Sequence, residues 1–135
     1  TFLGVFSSGG RQANWIKNDV SADNLLNLVT DHTAEKVLNC VGSSDRLNIL
    51  LAVLKKPMTV AQIVEECGFN STGHVYHHLK PLLAADLIVE DKRSDIKGLY
   101  VVQPHRVSGI LMLLAGISDL TDTQYTRENW EETES

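Results

Sequence analysis

From Thr59 to Ile88 the chain reads TVAQIVEECGFNSTGHVYHHLKPLLAADLI, two helical periods with almost nothing between them. Val60, Ile63 and Val64 recur at helical spacing on an inward face, with Glu65 and Glu66 outward. Gly68 stands where a left-handed residue commonly ends a helix. After Gly68-Phe69-Asn70, Ser71 or Thr72 can cap the next helix with a side-chain oxygen. Placed on a 3.6-residue turn, Val75, Leu79, Leu82 and Leu83 of that helix share one side. A short helix, a tight turn and a second helix are therefore the first constraint on the fold.

The flanks extend the pattern. Residues 22–41 carry Leu25, Leu26, Leu28, Val29, Ala34, Val37 and Leu38 at helical spacing, with Asp31 and Thr33 as caps where the helix breaks and restarts. Ser43 or Ser44 begins a helix bearing Leu47, Ile49, Leu50, Val53 and Leu54, which ends at Lys55-Lys56-Pro57 because proline disfavours helical geometry in the residue before it. Downstream, LIVEDK and GLYVVQ are rich in strand-forming residues and enclose RSDIK, a hairpin with a charged tip. Pro104 can start a last helix running to about Leu120, apolar almost all round and so in need of cover on several sides. In so small a domain a second subunit is the expected cover. At the N-terminus, residues 2–18 read as two short strands around a Gly9-Gly10 turn. The expected layout is an N-terminal hairpin-like extension over residues 1–20, the helical domain with its dimerisation helices over 21–120, and an acidic, flexible tail over 121–135. No internal repeat is present.

Composition fits one soluble domain, with 135 residues, 43% hydrophobic and 21% charged. The longest apolar run, ILMLLAGI at 110–117, is far short of the ~20 residues a membrane span needs. The chain opens on Thr1 rather than methionine, so a fragment or trimmed chain is one expectation; it shows no charged-then-apolar leader, and a cytoplasmic location is expected. Cys40 and Cys67 form no CxxC pair, which argues against a disulfide framework or zinc ribbon. The net charge of −5 argues against nucleic-acid binding until it is resolved along the chain. Residues 1–44 carry −1, residues 45–106 carry +1, and residues 107–135 carry −5. The acidity thus sits in the tail.

A helix, a short helix, a tight turn, a third helix and a hairpin is the order of a winged helix-turn-helix. The sequence from Asp45 to Val102 resembles ArsR-type transcriptional regulators. DRLNILLAVL is similar to that family's Arg-Leu-x-Ile-Leu helix, TVAQIVEECGFN to its first helix-turn-helix helix and turn, and HVYHHLKPLLAADLI to its recognition helix. TGHVYHHLKPL looks like a subgroup rich in Tyr-His-His-Leu, and GVFSSGG followed by a tryptophan resembles that subgroup's N-terminal extension. The likeness covers roughly residues 33–120. It implies a mainly α fold with a small β-hairpin wing (α+β), dimeric through its first and last helices. One departure is Asp86-Leu87, where the family usually has Gly-Leu; Asp tolerates the left-handed conformation such a cap needs.

Three of the five histidines, His74, His77 and His78, fall within five residues. The helical wheel puts His77 outward, His74 on the flank and His78 at the core's edge, so the three are not expected to converge. His74 and His78 are spaced to chelate a metal from one face, but a metal needs more ligands, and Cys67 is the nearest candidate in sequence. The metal-sensing ligand sets that the resemblance would imply, Cys-x-Cys before the recognition helix or Asp/His pairs in the last helix, are absent. No metal and no cofactor are expected, and His78 is expected to be half-buried and bonded to the backbone. A histidine base would need a nucleophile within reach; Ser71 and Thr72 are better read as caps, and no Gly-rich phosphate loop or GxSxG occurs. No enzyme is expected.

The expected function is sequence-specific binding of double-stranded DNA by a homodimer, with the recognition helix at about 71–85 in the major groove and the wing at about 91–98 on the flanking backbone. Ser71, Thr72, Gly73 and His74 at the helix start suit phosphates and close approach. Tyr76 and His77 can reach base edges, Lys80 a phosphate, and Lys92, Arg93 and Lys97 the backbone beside the wing. Each also reads as ordinary surface, and Asp91 and Asp95 dilute the wing's charge. No arginine lies in the recognition helix, so the commonest specific contact, Arg to guanine, is missing. The expected dimer interface comprises Leu25, Leu28, Val37, Val107, Ile110, Leu111, Leu114 and Ile117, and a small-molecule effector is a candidate further partner there. The competing reading is a winged helix used to bind proteins or small ligands, with little DNA affinity.

Overall fold

A computed structural model describes residues 2–8, 11–17 and 21–122, the first two segments by backbone alone. The strands β1 (Phe2–Ser8) and β2 (Arg11–Lys17) pair antiparallel, with Ser8 opposite Arg11. The expected Gly9-Gly10 turn lies outside the described residues, as does most of the expected acidic tail.

Helix α1 (Ala22–Thr30) and helix α2 (Thr33–Val41) are separate. The break is local: His32 takes a left-handed φ of 66°, and the Asp31 carboxylate accepts the Thr33 N–H at 3.0 Å. That backbone N–H holds the Asp31 carboxyl below the usual range. Helix α3 (Ser44–Lys55) is capped by the Ser43 hydroxyl, which accepts from Arg46 N–H at 3.4 Å. The Arg46 guanidinium reaches back and donates to the carbonyls of Asn39 and Cys40, satisfying acceptors at the end of α2.

A two-residue strand β3 (Met58–Thr59) leads into α4 (Val60–Cys67). Thr59 and Gln62 close a reciprocal capping box: the Thr59 hydroxyl accepts from Gln62 N–H at 3.3 Å, and the Gln62 side-chain oxygen accepts from Thr59 N–H at 2.9 Å. Gly68 ends α4 with φ 72°, as its position in the sequence predicts. Helix α5 (Thr72–Ala84) follows, then β4 (Val89–Glu90), β5 (Leu99–Val101) and α6 (Pro104–Leu120). The small sheet is antiparallel in the order β3-β5-β4. The sequence pattern predicts the wing but not β3, which pins the start of α4 to it through Met58 opposite Tyr100.

The core lies where α3, α4, α5, the wing and the first half of α6 meet. Ile49, Val53, Ile63, Val75, Leu79, Leu82, Ile88 and Val107 are wholly buried there. The last helix corrects one expectation. Val107 and Ile110 face this chain's own core instead of a free surface, because the first turns of α6 seal the winged-helix domain. Farther out, Ile117 and Leu120 are exposed, Leu120 by 82%. Helix α1 has no buried residue: Leu25, Leu26, Leu28 and Val29 are all exposed, Leu26 by 65%. Among the described residues no single helix is long and apolar enough to cross a membrane.

Candidate nucleic-acid interface

Helix α5 has two unlike sides. Val75, Leu79 and Leu82 anchor one against the core with no exposure. Thr72, Gly73, His74, Tyr76, His77 and Lys80 stand on the other, all exposed, Tyr76 by 52%. The Ser71 hydroxyl accepts the His74 N–H at 3.2 Å and so serves as the cap. Thr72 follows as the first helical residue. A methyl group built on Gly73 would meet only the Ser71 hydroxyl, at 3.9 Å, so nothing within the chain requires glycine there.

The C-terminal end of α5 fixes the wing's position. Asp86 adopts φ 56°, the left-handed conformation the sequence predicts. Leu87 N–H bonds to the Leu82 carbonyl and Asp86 N–H to the Leu83 carbonyl, each at 3.0 Å, which is a Schellman closure built on aspartate. Leu87 and Ile88 then drop into the core. Pro81 lies inside α5, where it has no N–H to give the His77 carbonyl. Its own carbonyl receives two donors, the Ala85 N–H at 3.0 Å and the Cys40 thiol at 3.5 Å.

At the wing tip Lys92, Arg93 and Lys97 are exposed, and the Asp91 carboxylate accepts the Arg93 N–H at 3.1 Å to shape the turn. Gly98 closes the tip with φ 69°. An open groove of about 710 Å³ runs between the wing and the starts of α6 and β3, with Lys55, Lys92, Arg93 and His105 among its walls and Glu90 and Asp91 opposing them. The basic residues expected from the sequence are thus accessible, and so are the acids that dilute them.

The histidines differ from expectation. The side chain of His78 is only 14% exposed, but its Nε2 meets the Asp45 carboxylate at 3.3 Å instead of a backbone carbonyl. Burial lowers the proton affinity of His78, while Asp45 pulls the other way. Its Nδ1 is buried with no hydrogen-bond partner. His74 packs 5.1 Å from His78, ring centre to ring centre, and Phe69 lies edge-on to His74 at 5.0 Å. His74 and His78 therefore do converge, on Asp45, while His77 stays on the exposed side. Asp45 was not legible as a member of this group; as an acid in the first turn of α3 it reads as an ordinary helix-start residue.

A helix-turn-helix of α4 and α5 under a three-stranded wing defines a winged helix-turn-helix protein. Residues 43–89 match the model of the family described as bacterial regulatory protein, arsR family. Three solved structures share the fold. NolR from Sinorhizobium fredii superposes with a TM-score of 0.55 at 23% identity, over 75% of this chain and 96% of that one. The transcriptional regulator HlyU from Vibrio vulnificus gives 0.54 at 20% identity, over 70% and 97%. Reduced HlyU from Vibrio cholerae gives 0.52 at 19%, over 67% and 96%. No curated protein sequence matches. The stretch that matches, residues 43–89, runs from the cap of α3 through α4 and α5 to the start of β4, and the family it resembles is described as regulatory proteins.

Proposed function

We propose that the chain is a transcriptional regulator that binds specific double-stranded DNA as a homodimer, in the cytoplasm, and that it belongs to the Tyr-His-His-Leu subgroup of ArsR-type proteins through Tyr76–Leu79. The observation that carries the DNA reading is the two-sided α5. Its apolar side is fully buried, and the side left over is a row of hydroxyl, imidazole, phenol and ammonium groups at major-groove reach. Ser71, Thr72, Gly73 and His74 would meet the backbone at the helix start, Tyr76 and His77 the base edges, and Lys80, Lys92, Arg93 and Lys97 the flanking phosphates.

The homodimer rests on apolar surface without cover. Leu25, Leu28 and Ile117 are exposed on α1 and α6, and a groove of about 520 Å³ between α2, α3 and α6 is lined by Val37, Leu113 and Leu114 among others. A second copy covers such faces, and on this reading it also covers what is left exposed of Leu111, half-buried against the core. The same groove favours a second reading, a winged helix that binds a small apolar effector or another protein there.

Fluorescence anisotropy with a pool of promoter fragments, at low and physiological salt, tests the main reading. Sub-micromolar binding that weakens steeply with salt is expected, because phosphate contacts release counterions. Arg93→Ala should weaken binding to all fragments, and His77→Ala should reduce discrimination among them. No binding at low salt by a confirmed dimer would favour the second reading.

A further inference from the structure

Asp45 comes from the first turn of α3, while His74 and His78 sit on successive turns of α5. The fold brings one ligand atom of each within 4.8 Å of the others. His78 Nε2 and the Asp45 carboxylate are 3.3 Å apart. A tetrahedral cation with bonds of about 2.0–2.1 Å holds its ligands roughly 3.3–3.4 Å apart. That pair already has the required spacing, and His74, exposed and on the adjacent turn, has a ring nitrogen within 4.8 Å of both. Phe69 shields one side, edge-on to His74 and 6.1 Å from His78. Because His78 Nδ1 has no protein partner, no second hydrogen bond must break for the ring to turn.

We propose that Asp45, His74 and His78 form a binding site for a divalent first-row transition-metal ion, with zinc the best fit and the remaining coordination position open to water. Two imidazoles exclude magnesium and calcium, which take oxygen ligands. Cys67, the extra ligand suggested by proximity in sequence, is not one of the converging groups; its thiol donates to the Asn48 carbonyl at 3.7 Å. The bound ion ties the first turns of α5 to α3 and holds His74 beside Asp45. The competing explanation is a plain His–Asp hydrogen bond between two helices.

Cobalt(II) distinguishes them without any DNA present, so the result is independent of the proposed function. Untagged, chelator-treated full chain is titrated with cobalt(II), visible d–d bands are followed, and zinc is added in competition. One cobalt per chain, displaced by zinc, is expected. His74→Gln and Asp45→Asn should each weaken binding by more than the ~10–100-fold loss that follows when a group merely supporting a ligand is removed. Cys67→Ser and His77→Ala should leave it unchanged. Thermal melts without metal check that all variants fold; Asp45→Asn keeps the shape and a hydrogen-bonding oxygen for His78. The absence of both visible bands and any metal-dependent rise in Tm overturns the site. So does stoichiometric binding that survives both ligand substitutions.

Discussion

Two cysteines and one aspartate show how single residues respond to their surroundings. Cys40 is buried beneath Pro81, and burial pushes its thiol up while Arg46 pulls weakly the other way. Cys67 is raised by burial first, then by Glu66 and Asp45. Both should therefore react with a disulfide reagent at pH 8 far more slowly in the fold than in urea; a fast reaction of Cys40 would show that α2 and α5 do not pack as described. A thiol whose proton is held more tightly in the fold contributes fully below the ordinary thiol range, and that contribution is lost as pH rises through the folded value. Asp86 is the second case. It occupies a left-handed position that aspartate tolerates and glycine adopts without strain. Asp86→Gly should stabilise the chain by roughly 0.5–1 kcal/mol in urea denaturation, since L residues there are strained. A loss of stability would mean that the carboxylate contributes something the Schellman closure does not account for.

At the scale of elements, helices and turns were legible because each boundary carries its own chemistry. Ser43, Thr59 and Ser71 are caps, and Gly68 and Asp86 are left-handed stops. The buried side of α5 followed from 3.6-residue spacing alone. What was not legible depends on contacts between distant segments. Strand β3 is two residues long, too short to show a period, and exists only because β5 lies beside it. The partition of α6 into a buried first half and an exposed second half could not be read from a sequence apolar on all sides. Asp45 meets the histidines only once α3 and α5 are packed. Gly73 tests whether the outer side of α5 serves a partner. The chain has room for a methyl there, so Gly73→Ala should fold as well as the parent or gain up to ~1 kcal/mol. If DNA approaches closely, the same change should lower affinity about tenfold or more, a penalty of ~1.4 kcal/mol. Unchanged affinity would remove Gly73 from the interface.

For the whole molecule, the residues that anchor the fold and those without cover are distinct sets. Leu79 and Ile49 are wholly buried and hold one chain together, whereas Leu25, Leu28 and Leu120 stay exposed on it. Leu28→Glu should thus leave helix content and single-chain folding intact while converting the dimer to monomer by sedimentation equilibrium. A wild-type chain that is monomeric at high concentration would rule out the homodimer reading. On that reading, the uncovered leucines of α1 also make the protein a counter of its own abundance. Below the concentration at which most chains are paired, the number of pairs rises as the square of the number of chains. Doubling synthesis would then roughly quadruple the species able to span two half-sites, so a graded change in expression would reach the promoter as a threshold.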